Sequence, residues 1–282
     1  MKNFLAFVFL CTANLPFLAT AGIINFGDAD NYIFATASTE QWSGNLLLGS
    51  EAHIFGSVAA SKTLELGAGV IVDGDACAGI TNNWGATVAG AAGACTDFTQ
   101  LANDISSAAA QAQTFIGANL GNVSGNSQFI GNGFQSFVIN DLLLAGGDTL
   151  TVLGSVEDYF VFNIFGQAKL GSGANILLSG GVAAENVIFN FVANPVAQSF
   201  ELGGANISGT FLSSGRTFII GDGATLNNSR FYSTESIVAN VQDVRFPISA
   251  EANVPVPATS TFALFAIGMM GLVIRRFNKI LS

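Results

Sequence analysis

The single histidine, His53, stands in the run Glu51-Ala52-His53-Ile54, which reads as a strand. One imidazole lacks the further ligands of a zinc site and the partners of a catalytic triad, so a packed or solvent-facing side chain is expected. Glycoside cleavage needs two carboxylates, and Asp73 and Asp75 offer a pair. On a strand they would face the same way, about 7 Å apart. Gly74 between them favours a turn, where Asp and Gly are ordinary and the carboxylates are solvated. Asp28, Asp30, Asp222 and Gly223 would hold calcium only weakly, because no loop has an ordered ligand spacing. Gly221-Asp222-Gly223 lacks the lysine and the strand-to-helix setting of a phosphate loop. An ice surface would need a flat face with rows of threonine. Thr149-Leu150-Thr151 is one such step, and Thr63, Thr217 and Thr225 are scattered singles that β propensity alone explains. No catalytic, cofactor or metal residue is assigned, and no enzymatic activity is expected.

The two ends of the chain set where these residues work. Lys2, an apolar stretch from Phe4 to Leu18 and the small residues Ala19-Thr20-Ala21 have the layout of a secretory signal peptide, residues 1–21. At the other end Ala258 to Ile274 is a charge-free run of 17 residues, against roughly 20 for a comfortable membrane span. Arg275, Arg276 and Lys279 follow it, and such a basic flank stays on the cytoplasmic side. A buried core helix is the plainer alternative, but Pro255 and Pro257 read as a break from the folded body. A separate membrane helix over 259–277 is therefore expected within a tail of residues 251–282. Residues 22–253 carry five Lys and Arg against all 19 Asp and Glu, a net charge of 5 − 19 = −14. Such a body repels nucleic acid and anionic headgroups, and its single-sign acidity favours solubility. Cys11 leaves with the leader, so Cys77 and Cys95 remain. In an exported protein this pair most economically forms one disulfide, and two buried thiols are the alternative. The bond would close a loop of 17 intervening residues, worth on the order of 3 kcal/mol by loop entropy.

The body repeats itself. Gly49-Ser50-Glu51-Ala52-His53-Ile54 returns as Gly67-Ala68-Gly69-Val70-Ile71-Val72, beginning 18 residues later. It comes back as Gly171-Ser172-Gly173-Ala174-Asn175-Ile176, more loosely at Gly204-Ala205-Asn206-Ile207, and as Gly221-Asp222-Gly223-Ala224-Thr225-Leu226. From Ala205 to Ala224 is 19 residues, whereas Ala174 to Ala205 is 31, a gap that could hold two shorter turns. Short alternating strands with glycine corners can coil so that each turn stacks on the last around one core. The expected fold is all-β, a β-solenoid over 22–250, with coils of 16 to 19 residues in 40–80 and 120–245. A β-sandwich is the alternative. One segment breaks the pattern, because Phe98, Leu101, Ile105, Ala108, Ala112 and Phe115 share a helical face. Asp97 and Gln100 predict a capping box and Gly117 a stop, so one long helix near 97–116 should lie along the solenoid.

Two resemblances carry the reading further. Val254-Pro255-Val256-Pro257-Ala258-Thr259, the apolar stretch and the pair Arg275-Arg276 resemble the PEP-CTERM sorting signal of Gram-negative bacteria, with Val256 where the family pattern has glutamate. That resemblance implies a sorting protease of exosortase type that cuts near the Pro-x-Pro motif and passes an inner-membrane-anchored precursor to the cell surface or medium. Residues 158–191 and 207–233, with Gly209-Thr210-Phe211-Leu212 as a specific piece, resemble ice-binding-like and choice-of-anchor β-solenoid domains. That likeness implies a right-handed β-solenoid with a helix alongside, a fold shared by members of different function. The expected function is a structural or adhesive one at the cell surface or in the matrix, in contact with exopolysaccharide. An ice-binding protein and a polysaccharide-acting enzyme are the alternatives. If the tail is an address, neutral residues at Arg275 and Arg276 should weaken membrane retention before processing, as read by fractionating the precursor. Unchanged retention would count against it.

Overall fold

The computed structural model describes residues 23–40 and 42–246. The expected signal peptide, sorting tail and membrane helix lie outside the described residues. Within them no helix is long and apolar enough to cross a membrane, and the compact body ends at Phe246.

Every strand pairing of the described body is parallel, which rules out the face-to-face antiparallel sheets of a sandwich. The fold is all-β, with strands closing around a continuous apolar core and one α-helix outside. The first coil shows the plan. Tyr32–Thr36, Asn45–Leu48 and His53–Ile54 each enter a different ladder, so the stacked coils present three faces.

The tiers do not stack in sequence order. The chain starts in the middle of the stack, where Tyr32–Thr36 lies beside Ser57–Leu66, and winds outward through Ala76–Asn83 to Ala92–Gly93. The helix follows, and winding resumes at the opposite end with Ala118–Ser124. From there it returns through Tyr159–Ile164 and Val187–Phe191 until Thr217–Ser233 pairs with the free edge of Tyr32–Thr36. The expectation that each coil stacks on its predecessor thus holds within each half and fails at the join. An unpaired strand edge in mid-chain must be covered, and the second half covers it.

Coil length also departs from expectation. Leu46 pairs with Leu64 and Ala76 with Ala92, within the expected range. In the second half Phe160 pairs with Val187 and Asn175 with Asn206, so the 31-residue gap is one long coil, not two short ones. The extra residues form the 3-10 turn Ala184–Asn186 and the corner around Pro195. The repeated corner glycines have a reason other than unusual backbone angles. A Cβ at Gly67 would sit 2.8 Å from Ser50 N, and one at Gly221 2.9 Å from the Leu202 oxygen, so only glycine lets adjoining coils approach.

Phenylalanine forms the spine of the core. Phe34, Phe231, Phe211, Phe189, Phe162 and Phe137 come from six successive tiers, with ring centroids 5.5, 4.7, 5.2, 4.9 and 5.1 Å apart. The spacing follows the roughly 4.8 Å between parallel strands, so in-register rings stack.

The helix spans Phe98–Thr114, capped by Asp97, whose Oδ1 accepts from Thr99 N at 2.9 Å and Gln100 N at 3.1 Å. The reciprocal arm of a capping box does not form, because the Gln100 amide donates to Asp104 instead. Gly117 lies beyond the helix end, and it is glycine because a Cβ there would collide with the Ser136 carbonyl. Leu101, Ile105, Ala108 and Ala112 pack onto small or apolar side chains of the first face, among them Ala35, Ala59, Val161 and Ile188. Asn163 and Asn190 are stacked in that face; Asn163 donates to the Ala112 and Phe115 carbonyls at the helix end and Asn190 to the Ala109 carbonyl one turn earlier.

Two polar devices pin coils together. Arg216 is fully buried and donates to the carbonyls of Ile164, Phe165, Gly166 and Val192 at one corner. Loss of water pulls its pKa down to about 10, and these oxygens rather than a carboxylate satisfy its donors. Asp158 accepts from the backbone N–H of Ser155 and of Gly133 in the adjoining coil, and from the Ser155 hydroxyl. Those donors hold its carboxyl below the usual carboxylate range. Cys77 and Cys95 lie within bonding reach, with Cα atoms 5.1 Å apart, where the outermost coils meet the start of the helix.

Phe231→Ala should lower unfolding stability by about 3–5 kcal/mol in denaturant titration, since a ring is lost from the middle of the spine. A change below about 1 kcal/mol would refute the join as a core contact. Because the Asp158 pKa is depressed on folding, its contribution is present above about pH 4 and fades as pH falls through the folded value. Asp158→Asn should therefore be less stable than the parent at pH 7, with the gap closing on acidification. A pH-independent gap would assign the loss to packing.

Candidate functional site

His53 lies on the third face and is not isolated. Its Nε2 is 3.0 Å from Asp73 Oδ1 in the adjoining coil, its ring stacks on Phe55 at 3.8 Å, and its ladder partner on the other side is Asp243. The 18-residue repeat could have revealed this pair, because it places Ile71 directly beside His53. Asp75 turns elsewhere, with Oδ1 accepting from Ala91 N, so Asp73 and Asp75 act as separate turn acids. Asp30 pairs with Arg230, and the Asp28 N–H donates to Asp104. Among the described residues no three His, Cys, Asp or Glu side chains are grouped to hold a metal ion.

The second face carries a different pattern. Ser199 pairs with Thr217 and Asn45 with Ser236, and the same register one residue back from Phe218–Ile237 and Leu46–Leu64 places Thr217 beside Ser236 and Asn45 beside Thr63. Thr63, Asn45, Ser236, Thr217 and Ser199 thus form one outward column of hydroxyls and amides, about 4.8 Å per step. The neighbouring outward column reads Glu65, Leu47, Val238, Ile219, Glu201 and Lys169, the last two in an ion pair of 2.9 Å. A comparable column on the third face joins Thr149, Asn175, Asn206 and Thr225. Threonines that are singletons in sequence therefore line up in space. The Thr149-Leu150-Thr151 step does not extend, because Leu177 faces Thr151.

The hydroxyl column borders three shallow hollows along the corner between the first and second faces. Thr63 and Asn45 edge one of about 390 Å³, which Trp42 and Ile80 also line. Thr217 edges one of about 410 Å³ with Asn194 and Glu235, and Ser199 one of about 280 Å³ with Lys169 and Glu201. Open hollows edged by hydroxyls and amides can bind an extended polar ligand.

Residues 253–276 match the family described as the PEP-CTERM protein-sorting motif. No curated protein matches the chain. Among solved structures, an ice-binding protein from an Antarctic biological consortium is 19% identical with a TM-score of 0.54, covering 78% of this chain and 89% of the other. One from an Antarctic bacterium of the Flavobacteriaceae is 18% identical with a TM-score of 0.57, covering 78% of this chain and 47% of the other, so the chain spans about half of that protein. At such identities the likeness is one of fold. This chain carries a PEP-CTERM sorting motif behind a body with the fold seen in ice-binding proteins.

Proposed function

We propose that the chain is an exported cell-surface or matrix-associated protein with a structural and adhesive role, contacting exopolysaccharide along its second face. The single observation that carries this reading is the hydroxyl and amide column from Thr63 to Ser199, with hollows beside it. Such a column offers repeated hydrogen-bond donors and acceptors at a fixed step, which suits a polymer with a repeating unit. The sorting motif implies recognition by an exosortase-type protease. We read residues 1–21 as the removed signal peptide and 259–277 as the membrane helix of the precursor. The winding is taken as right-handed, as parallel strand connections overwhelmingly are, and Cys77 and Cys95 as bonded in the exported body.

Binding rather than cleavage is the favoured reading. Glu65 and Glu201, the acids of the column beside the hydroxyls, are four coil steps apart, about 19 Å, against about 5–10 Å for glycosidase pairs. Ice binding is the second reading, favoured by the regular step of Asn45, Ser236 and Thr217. Against it, Glu65, Glu201 and Lys169 interrupt the adjoining column with charge.

The test is a glycan-binding screen of the purified full chain beside an ice-recrystallisation assay. Retention on one or more exopolysaccharides, weakened severalfold by Thr217→Asp, with no effect on ice crystals, is expected. Ice-recrystallisation inhibition with no glycan bound would replace the adhesive reading with the ice-binding one.

A further inference from the structure

We propose that the Trp42 hollow is an aromatic stacking subsite for one pyranose unit of a neutral polysaccharide. The inference rests on the adhesive reading and names the ligand class and the anchoring residue. Of the two tryptophans, Trp42 is 83% exposed, although its ring has large apolar faces that usually seek burial. Its position is built rather than incidental, because the Asn45 amide donates to the Trp42 carbonyl at 3.0 Å and holds the turn that carries the ring. The hollow beside it, of about 390 Å³, is the size of a single small-ligand site. Its lining pairs that aromatic surface with the polar groups of Asn45, Ser61, Lys62 and Thr63. A pyranose has the matching chemistry, with a C–H face that lies on an aromatic ring and equatorial hydroxyls that reach edge donors and acceptors.

Charge decides between neutral and acidic polymers. The hollow itself contains Lys62 and no carboxylate. The same corner, however, continues past Glu235 and Glu201, and the chain carries a net −10. A polyanion following the corner would meet those carboxylates, whereas a neutral chain would not. The hollows span the coils from Ile80 to Lys169, six steps or about 29 Å. A pyranose unit is about as long as one step, so a neutral hexasaccharide matches the length of the corner, with Trp42 on the Asn45 coil two steps in from Ile80.

The experiment uses the full chain with neutral gluco-, manno- and galacto-hexasaccharides and a hexa-uronate, read by calorimetry and tryptophan emission. At least one neutral hexasaccharide should bind, about tenfold more weakly to Trp42→Ala and equally well to Trp84→Ala. In Trp84→Phe, where Trp42 is the sole tryptophan, emission should shift on binding. Both substitution sites are largely exposed, so lost binding would not reflect unfolding. Glycan binding that ignores Trp42→Ala would remove this subsite and leave the adhesive reading standing. Tighter binding of the hexa-uronate would overturn the neutral assignment. Binding of none of these sugars by the parent chain would overturn both the subsite and the adhesive reading.

Discussion

Phe34 stacks on Phe231 with ring centroids 5.5 Å apart, although nearly the whole body lies between them in sequence. Each half of the chain is a short stack of coils with a raw edge, and this contact with its backbone ladder makes the two edges one core. Arg230, one residue away, closes the same seam from outside. Its guanidinium pairs with Asp30 at 2.7 Å and lies 4.9 Å from the Phe26 ring and 4.7 Å from that of Phe246. The first and last described segments of the body therefore meet at mid-stack, held by one buried cation.

That seam determines what the faces can do. The helix can return along the stack only if one face is smooth enough to receive it, and Ala35 and Ala59 at the seam leave the space. The first face is thereby buried, and the second and third remain exposed. On the second face the column of Asn45, Ser236 and Thr217 crosses the seam, since Asn45 comes from the first half and the other two from the second. The candidate binding surface exists only once the halves have joined.

The polar groups divide between holding and presenting. Arg216, Asp158 and the Asn163–Asn190 pair face backbone groups of other coils or of the helix, and their removal should be felt as stability. The second-face hydroxyls and Trp42 face solvent, where a residue contributes little to folding and can be kept for contact. His53 with Asp73 belongs between these sets, a part-exposed cross-coil pair flanked by Phe55 and Asp243.

Local features were legible in the chain itself. Alternation of Phe, Ile, Leu and Val at roughly 18-residue intervals marks the coils of 45–93, and the 3.6-residue period with Asp97 ahead of it marks the helix within about two residues of Phe98–Thr114. Both follow from the geometry of a single backbone segment, which is why sequence by itself determined them. The length of the coil from Asn175 to Asn206, the carbonyl cage of Arg216 and the column from Thr63 to Ser199 were not legible. Each depends on which strand edge meets which. Edge pairing is decided by the edges that remain open once the rest of the chain has closed, so only the tertiary structure could place Tyr32–Thr36 against Thr217–Ser233.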